Sequence, residues 1–416
     1  MRTLPVWLLA LALSAFAVQT DDFIVIGVLP AIASDTGVSE AVAGQLVTVY
    51  SLVYACTAPL WAVLLARLPL RRVLLAALAV FIPANLVVPW VDDFPLLVGL
   101  RVIAALSAAV VLPAALAAAT TRAPEERRGR YLATVMTGLT GAVLLGVPAG
   151  TWIGAAFGWQ ATFVFCGLLG VLALVLVTRS LPRTVQSRTG HGDGGAAAAP
   201  QRPGTVLRPL LDPAVLGLLA VTVLVVAGNL AFQTYLAPFL AALSGVTPHQ
   251  LAALLVASGV GGVAGTLCAG RLADRVGARW AFGLACGAFC ATMAAFALLW
   301  QAGPVPIGVA AVLLVCWSTA AWAVPTTVQA LTLERVGQRA AAQAMAVLSS
   351  AVYVGAALGG VVGGLAVAVS AGLVPVAATL SAASGLVLAL AVTRDRRTGS
   401  ARRGGERARP PRRGRR

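Results

Sequence analysis

Three ionisable residues, Asp21, Asp22 and Arg101, interrupt stretches of sequence that are otherwise apolar. An Asp or Arg at the centre of a helix in hydrocarbon costs about 2.5–3.5 kcal/mol on insertion scales, so such residues sit there for a reason. Burial favours the neutral carboxyl and a nearby guanidinium favours the ionised one, so a motion that alters either makes the group take up or release a proton. If the first helix runs from residue 6 to 33, Asp22 lies ~16 Å inward from its later end and Arg101 ~10 Å inward from the same surface, about one turn apart. An ion pair or a water-bridged contact is therefore feasible. Successive helix positions point ~100° apart, so Asp21 and Asp22 cannot face one partner equally well, and Asp22 is expected to be the coupling residue. The plainer alternative is a charge pair that only holds two helices together.

The surrounding sequence says what must position these groups. Of 416 residues, 59% are hydrophobic and 11% charged, a balance suited to lipid rather than water. Apolar stretches long enough to span a bilayer recur at 6–33, 42–66, 73–91, 94–120, 131–156, 160–178, 213–237, 250–270, 280–300, 305–332, 341–368 and 372–393. All 30 basic residues are Arg, and every one but Arg101 lies in a gap or tail. The gaps alternate: Arg67, Arg71 and Arg72; then Asp92 and Asp93; then Arg122, Arg127, Arg128 and Arg130; later Arg271, Arg275 and Arg279, and Arg335 and Arg339. By the positive-inside rule the Arg-bearing connections face the cytoplasm, odd-to-even connections face outward and both termini are cytoplasmic. A cleavable leader ending near Ala15-Phe16-Ala17 would leave that sidedness unchanged, but the apolar run resumes at Phe23 as one long helix would.

The expected fold is thus an all-α membrane protein of twelve transmembrane helices. Residues 1–178 form one six-helix bundle and 213–393 another; 179–212, rich in Gly, Pro, Ala and Arg, form a cytoplasmic linker. The tail 394–416 holds eleven Arg against Asp395 and Glu406 and is expected to be disordered beside anionic lipid headgroups rather than on nucleic acid.

Other chemistry is sparse. Cys56, Cys166, Cys268, Cys286, Cys290 and Cys316 all fall within spans, where buried small hydrophobe is the ordinary reading, and no disulfide framework, metal site or cofactor is expected. His191 and His249 lie between spans, so neither a zinc-protease motif nor a buried His relay is available. With no Lys and no phosphate-binding G-x-x-x-x-G-K-[ST] loop, ATP is not the direct energy source. Along the fifth span Gly146, Pro148, Gly150 and Gly154 suit close helix contact or a hinge. Tyr50, Tyr54, Asn229, Gln233, Tyr235, Trp317, Trp322 and Tyr353 are polar or aromatic within spans and are candidates to line a cavity.

GRLADRVGAR, Gly270 to Arg279, resembles the loop motif of the major facilitator superfamily, with Gly270 and Gly277 at turns and Asp274, Arg275 and Arg279 able to bridge helix ends. The corresponding ARLPLRR, Ala66 to Arg72, has Leu70 where an Asp is expected. Further stretches resemble the twelve-helix drug/proton antiporter branch, particularly its chloramphenicol-exporter and arabinose-efflux-like members. FAVQTDDFIVIGVLPAIASDTGVS is similar to that group's first span, with Asp22 where Glu is common. Arg101 in LLVGLRVIAALS falls at its fourth-span Arg, which the resemblance links to proton coupling. GAVLLGVPAGTWIGAAFGWQATF resembles its antiporter motif followed by G-W-R-x-x-F, with Gln160 for Arg, and FQTYLAPFL its seventh-span Y-x-x-P-F-L.

The resemblance implies two six-helix bundles around a central cavity that opens alternately to each side. It implies a secondary transporter, not an enzyme, exporting a small amphipathic molecule or drug by proton antiport, with Gly146, Pro148, Gly150, Gly154, Gly270, Asp274, Arg275, Gly277 and Arg279 in gating. A nucleoside, sugar or other metabolite carrier, by efflux or symport, and more remotely a nontransporting receptor, are the rival readings. The expected partners are a small-molecule substrate, protons and lipids, with the chain acting as a monomer.

Overall fold

The structure, a computed structural model, describes residues 4–64, 68–124, 127–181, 213–336 and 341–406. Among these residues twelve helices are long and apolar enough to cross a membrane. In chain order they are α1 (Val6–Asp35), α2 (Gln45–Leu64), α3 (Leu70–Leu86), α4 (Phe94–Arg122), α5 (Arg128–Phe157), α6 (Trp159–Ser180), α7 (Pro213–Thr234), α8 (Pro248–Val276), α9 (Ala278–Ala302), α10 (Ile307–Val336), α11 (Ala341–Val369) and α12 (Leu373–Glu406). A short helix, Glu40–Ala43, precedes α2, and another, Leu236–Ser244, prolongs α7. The protein is an integral, multi-pass membrane protein.

Helices α1 to α6 pack on one another, as do α7 to α12, giving two six-helix bundles. They meet along two seams, α2 against α11 and α5 against α8. Large apolar side chains such as Leu60, Trp90, Phe157, Trp280 and Leu365 point outward, which is costly in water and natural in lipid. The connections distinguish the two ends of the molecule, an Arg-bearing end and an Arg-free end.

The connections are short because single residues make the turns. Gly158, between α5 and α6, and Gly277, between α8 and α9, have φ of +91° and +83° with ψ near 151°, a region essentially restricted to glycine. At the start of α8 a capping box, Thr247 with Gln250, satisfies two of the backbone N–H groups left free there, and Pro248 at the first position has none to satisfy.

Three expected boundaries differ. The seventh span is not one rod to 237. It breaks at Tyr235 and resumes as Leu236–Ser244, because Pro238 has no N–H to bond to the carbonyl four residues back, at Thr234. Helix α8 runs through Val276, so most of GRLADRVGAR is the last turns of a helix rather than a loop. The backbone of 394–406, expected to be disordered, instead prolongs α12 to Glu406; Arg and Ala favour helix and cations favour a helix C-terminus. Residues 182–212 of the expected linker and 407–416 of the tail lie outside the described residues.

Candidate functional site

Midway along α1, the ~100° step between neighbours sends Asp21 and Asp22 to different partners. Asp21 turns into its own bundle. Its Oδ1 accepts a hydrogen bond from Arg101 Nη1 at 2.6 Å, and its backbone carbonyl accepts one from Arg101 Nη2 at 2.9 Å. The guanidinium also lies 4.5 Å from the centre of the Tyr50 ring and 5.5 Å from that of Phe163. Arg101 is 2% exposed and Asp21 0%, so the charges are compensated by each other and by ring faces rather than by water. Among the described residues Asp21 Oδ2 and Arg101 Nε have no protein partner.

Asp22 turns the other way, toward the second bundle, and is 7% exposed. Its Oδ2 accepts from Gln19 Nε2 at 3.2 Å and, by a long bond, from the Tyr353 hydroxyl at 3.5 Å. Tyr353 belongs to α11, and its ring stacks on that of Tyr54 in α2, centroids 3.8 Å apart. Asp22, Tyr54 and Tyr353 therefore meet on the seam between the bundles. The estimate from helical rise found the right level for an ion pair with Arg101, but the carboxylate that makes it is Asp21 and not Asp22. Level follows from residue counting, whereas facing depends on a rotation that an uncertain boundary leaves free.

What sets α1 so firmly is α5. A Cβ on Gly146 would overlap Thr20, one on Gly150 would overlap Ile24, and one on Gly154 would press on Val28, so three glycines four residues apart receive three α1 side chains four residues apart. About two turns closer to the Arg-bearing end, Gly138 lets the Ala12 carbonyl approach. The stripe thus packs α5 on α1 within one bundle. Directly before Pro148 the helix widens into a π-helical stretch, Ala142–Gly146, which makes room for the ring beside the carbonyl of Leu144. The backbone of Leu144 in turn touches Gly259 of α8, so the widened turn itself lies on the second seam.

The remaining cavity candidates separate. Tyr50 lies under Arg101 and Tyr54 under Tyr353, as above. Gln233 is buried and Asn229 half-buried, its Oδ1 without a protein partner among the described residues. Trp317 is buried against Phe232, 5.1 Å between centroids, in a cluster with Phe239 and Phe296, and its Nε1 also lacks a protein partner. Trp322 lies over Gly262 of α8. The Tyr235 hydroxyl is 3.0 Å from the Gly360 carbonyl and 3.3 Å from that of Ala41. A narrow crevice between α7, α10 and α11, with about 10 Å³ of free volume, is lined in part by Thr222 and Gln329, which the sequence did not single out.

At the Arg-bearing end Gly277 makes the turn, while Gly270, Asp274, Arg275 and Arg279 belong to the ends of α8 and α9, and Asp274 is exposed. In the degenerate first-half copy Arg71 caps α6, donating to the carbonyls of Leu181 at 2.7 Å and Thr178 at 2.9 Å. At the opposite end Asp35 accepts from Trp159 Nε1 at 2.8 Å and Gln160 Nε2 at 3.0 Å, fastening α1 to α6. Gln19 and Asp35 were missed. Each lies three to four residues from a noticed feature, but a lone amide or a loop acid carries no sequence signal.

Two bundles of six helices thus meet on two seams, with the buried carboxyl of Asp22 on one of them. A family model described as Major Facilitator Superfamily matches residues 11–360 and 222–414, and the chain belongs to that family. It is a membrane transporter and not an enzyme. It is 31% identical over 390 residues to the inner membrane transport protein YdhP of Escherichia coli K12, covering 92% of this chain and 94% of the relative. It is 36% identical over 273 residues to a chloramphenicol resistance protein of Streptomyces lividans, covering 65% and 67%. The fold is similar to that of a bacterial homologue of the human lysosomal transporter Spinster, solved inward-facing and unoccupied, with a TM-score of 0.73 at 17% identity over 93% of this chain and 94% of the other.

Proposed function

We propose that the protein exports a small amphipathic organic molecule across the plasma membrane in exchange for protons, with Asp22 carrying the proton. The observation that supports this most is the position of Asp22: buried, on the seam, held by Gln19 of its own bundle and Tyr353 of the other, while the nearby cation is engaged by Asp21. A rocking of the bundles changes the surroundings of Asp22 and leaves the Asp21–Arg101 pair intact inside one of them. Proton exchange then follows from moving a carboxyl between a dry and a wet setting. Arg101 acts by bonding the carboxyl and the backbone carbonyl of Asp21 and so holding α1 in register, a positioning role.

Export, rather than uptake, is supported by the likeness to a chloramphenicol resistance protein, and a plasma-membrane setting by the likeness to an inner membrane transport protein. The Arg-bearing connections face the cytoplasm, both termini lie there, and the Arg-rich tail rests on anionic headgroups. The carrier acts as a monomer of two bundles, residues 1–178 and 213–393. Substrate enters between them, near Tyr54, Asn229, Gln233 and Tyr353, and the scarcity of fixed charge there suits a neutral or weakly ionised molecule. The α5–α8 seam at Gly259 and the turn at Gly277 move as the bundles rock.

The test is transport in proteoliposomes with chloramphenicol as the first probe and a panel of amphipathic drugs beside it. An imposed proton gradient should drive substrate against its concentration in wild type. Asp22→Asn should abolish gradient-driven accumulation while leaving exchange of labelled for unlabelled substrate. Accumulation unchanged in that variant retires Asp22 as the carrier of the proton, and substrate moving with the proton rather than against it retires antiport in favour of metabolite symport.

A further inference from the structure

Tyr235 occupies a setting that cavity lining does not explain. It stands at the break between α7 and its prolongation Leu236–Ser244, and its ring has no exposed surface. Three glycines crowd the ring and its hydroxyl, and beside them the Gln45 amide donates to the same Ala41 carbonyl. A Cβ on Gly44 would overlap the hydroxyl and the ring carbons beside it; a Cβ on Gly363 would lie 2.7 Å from Cδ2; one on Gly364 would lie 2.8 Å from the hydroxyl. The hydroxyl reaches two backbone carbonyls, Gly360 of α11 in its own bundle and Ala41 of the opposite bundle.

The socket is thus assembled from both bundles, with Ala41 and Gly44 from the first and Gly360, Gly363 and Gly364 from the second. Beside the bond of Tyr353 to Asp22 at mid-depth, the bond of Tyr235 to Ala41 joins the two bundles. Ala41 and Gly44 flank the start of α2, and Gly360 to Gly364 lie in the last third of α11, so the socket is at the Arg-free end of the α2–α11 seam. That end cannot open while a tyrosine ring from one bundle fills a slot in the other.

We infer that Tyr235 is a latch that holds the Arg-free end closed, and that Ala41, Gly44 and the α11 glycines form its keeper. The inference rests on the alternating-access reading of the fold, though not on the identity of the substrate or on proton coupling. Opening must break the bond to Ala41 and wet the hydroxyl, and it must withdraw the ring from Gly44; closing reverses both. Filling the slot at Gly44 should act like removing the ring, since either leaves the seam unable to seat.

The experiment is a pair of spin labels at the Arg-free end, on cysteines placed at Val42 and Val369 in a background without the six native cysteines, with distances read by pulsed electron resonance in lipid nanodiscs and without substrate. Both positions are exposed. Tyr235→Phe removes only the hydroxyl and should raise the ratio of long to short distances about two- to tenfold, the equivalent of one lost hydrogen bond. Gly44→Val should raise it further. The inference is overturned if Tyr235→Phe leaves the distribution unchanged, or shifts it toward the short distance. If Gly44→Val fails to fold, Tyr235→Phe alone decides, since it adds no atom. Failure of the transport reading would look different: substrate flux would be missing in wild type while the two distance populations and their response to Tyr235→Phe remained.

Discussion

The two bundles have the same helix count and matching seams, yet their hearts are unlike. In the first, α1 and α4 bring an acid pair and an Arg together under two aromatic faces. In the second, α7 holds no ionisable residue, and the corresponding depth is filled by Phe232, Phe239, Phe296 and Trp317 packed ring to ring. The glycine contacts differ in the same direction. In α5, Gly146, Gly150 and Gly154 receive side chains of α1, whereas in α11, Gly355, Gly359 and Gly363 receive the carbonyls of Val223, Ala227 and Ala231 in α7. At these three positions, though not at Gly138, the first bundle meets its glycines with side chains that can yield, whereas the second brings backbones into contact. The hydrogen bonds of Tyr235 to Ala41 and of Tyr353 to Asp22 run from tyrosines of the second bundle to acceptors of the first. In the cycle we propose, the first bundle offers the titratable group and the second a stiff body that moves against it.

The largest test of this contrast is to remove one member of the ion pair. Arg101→Met leaves Asp21 without its counter-charge in a dry site and should destabilise the protein by about 3–5 kcal/mol. Adding Asp21→Leu to the same variant should recover most of the loss. The check is thermal unfolding in detergent or nanodiscs, and equal stability of single and double variants would show that the pair is not what holds α1 to α4.

A smaller effect separates the two glycine stripes. Gly359→Ala sets a methyl against the Ala227 carbonyl, 2.7 Å away and unable to turn aside, and should cost about 1–3 kcal/mol by overpacking. Gly150→Ala meets the end of Ile24, which can change rotamer, and should cost clearly less. Equal costs, measured by the same unfolding assay, would remove the distinction between a yielding and a stiff bundle.

The smallest effect belongs to the Arg-free end of the first bundle. Asp35→Asn keeps the shape but weakens the bonds from Trp159 and Gln160, and a loss of about 0.5–1.5 kcal/mol is expected. A fluorescence change at Trp159 without loss of transport would place this contact outside the moving parts.

Much of the fold was legible in the sequence because hydrocarbon leaves few choices. Length and hydropathy set the spans, and alternating Arg set the connections. The level of Arg101 against the acid pair followed from helical rise alone. The choice between Asp21 and Asp22 did not, because a residue's facing turns by ~100° per position and no boundary was known that closely. Tyr235 was singled out as polar in a span, but its socket is built from Ala41, Gly44 and the α11 glycines, which come together only in three dimensions. Trp317 was set aside for a cavity on residue type, and it is Phe232, Phe239 and Phe296 that enclose it. The tail showed that a charged sequence beyond a span can simply carry its helix onward.

In the proposed cycle two neighbouring carboxyls have separate tasks, Asp22 taking the proton and Asp21 holding Arg101. Infrared difference spectra of the protein in lipid, recorded on lowering pH, report on this through the stretch of the protonated carboxyl. A band slow to exchange with deuterated water should appear in wild type, disappear in Asp22→Asn and persist in Asp21→Asn. A band that survives Asp22→Asn and vanishes with Asp21→Asn would contradict this division of tasks.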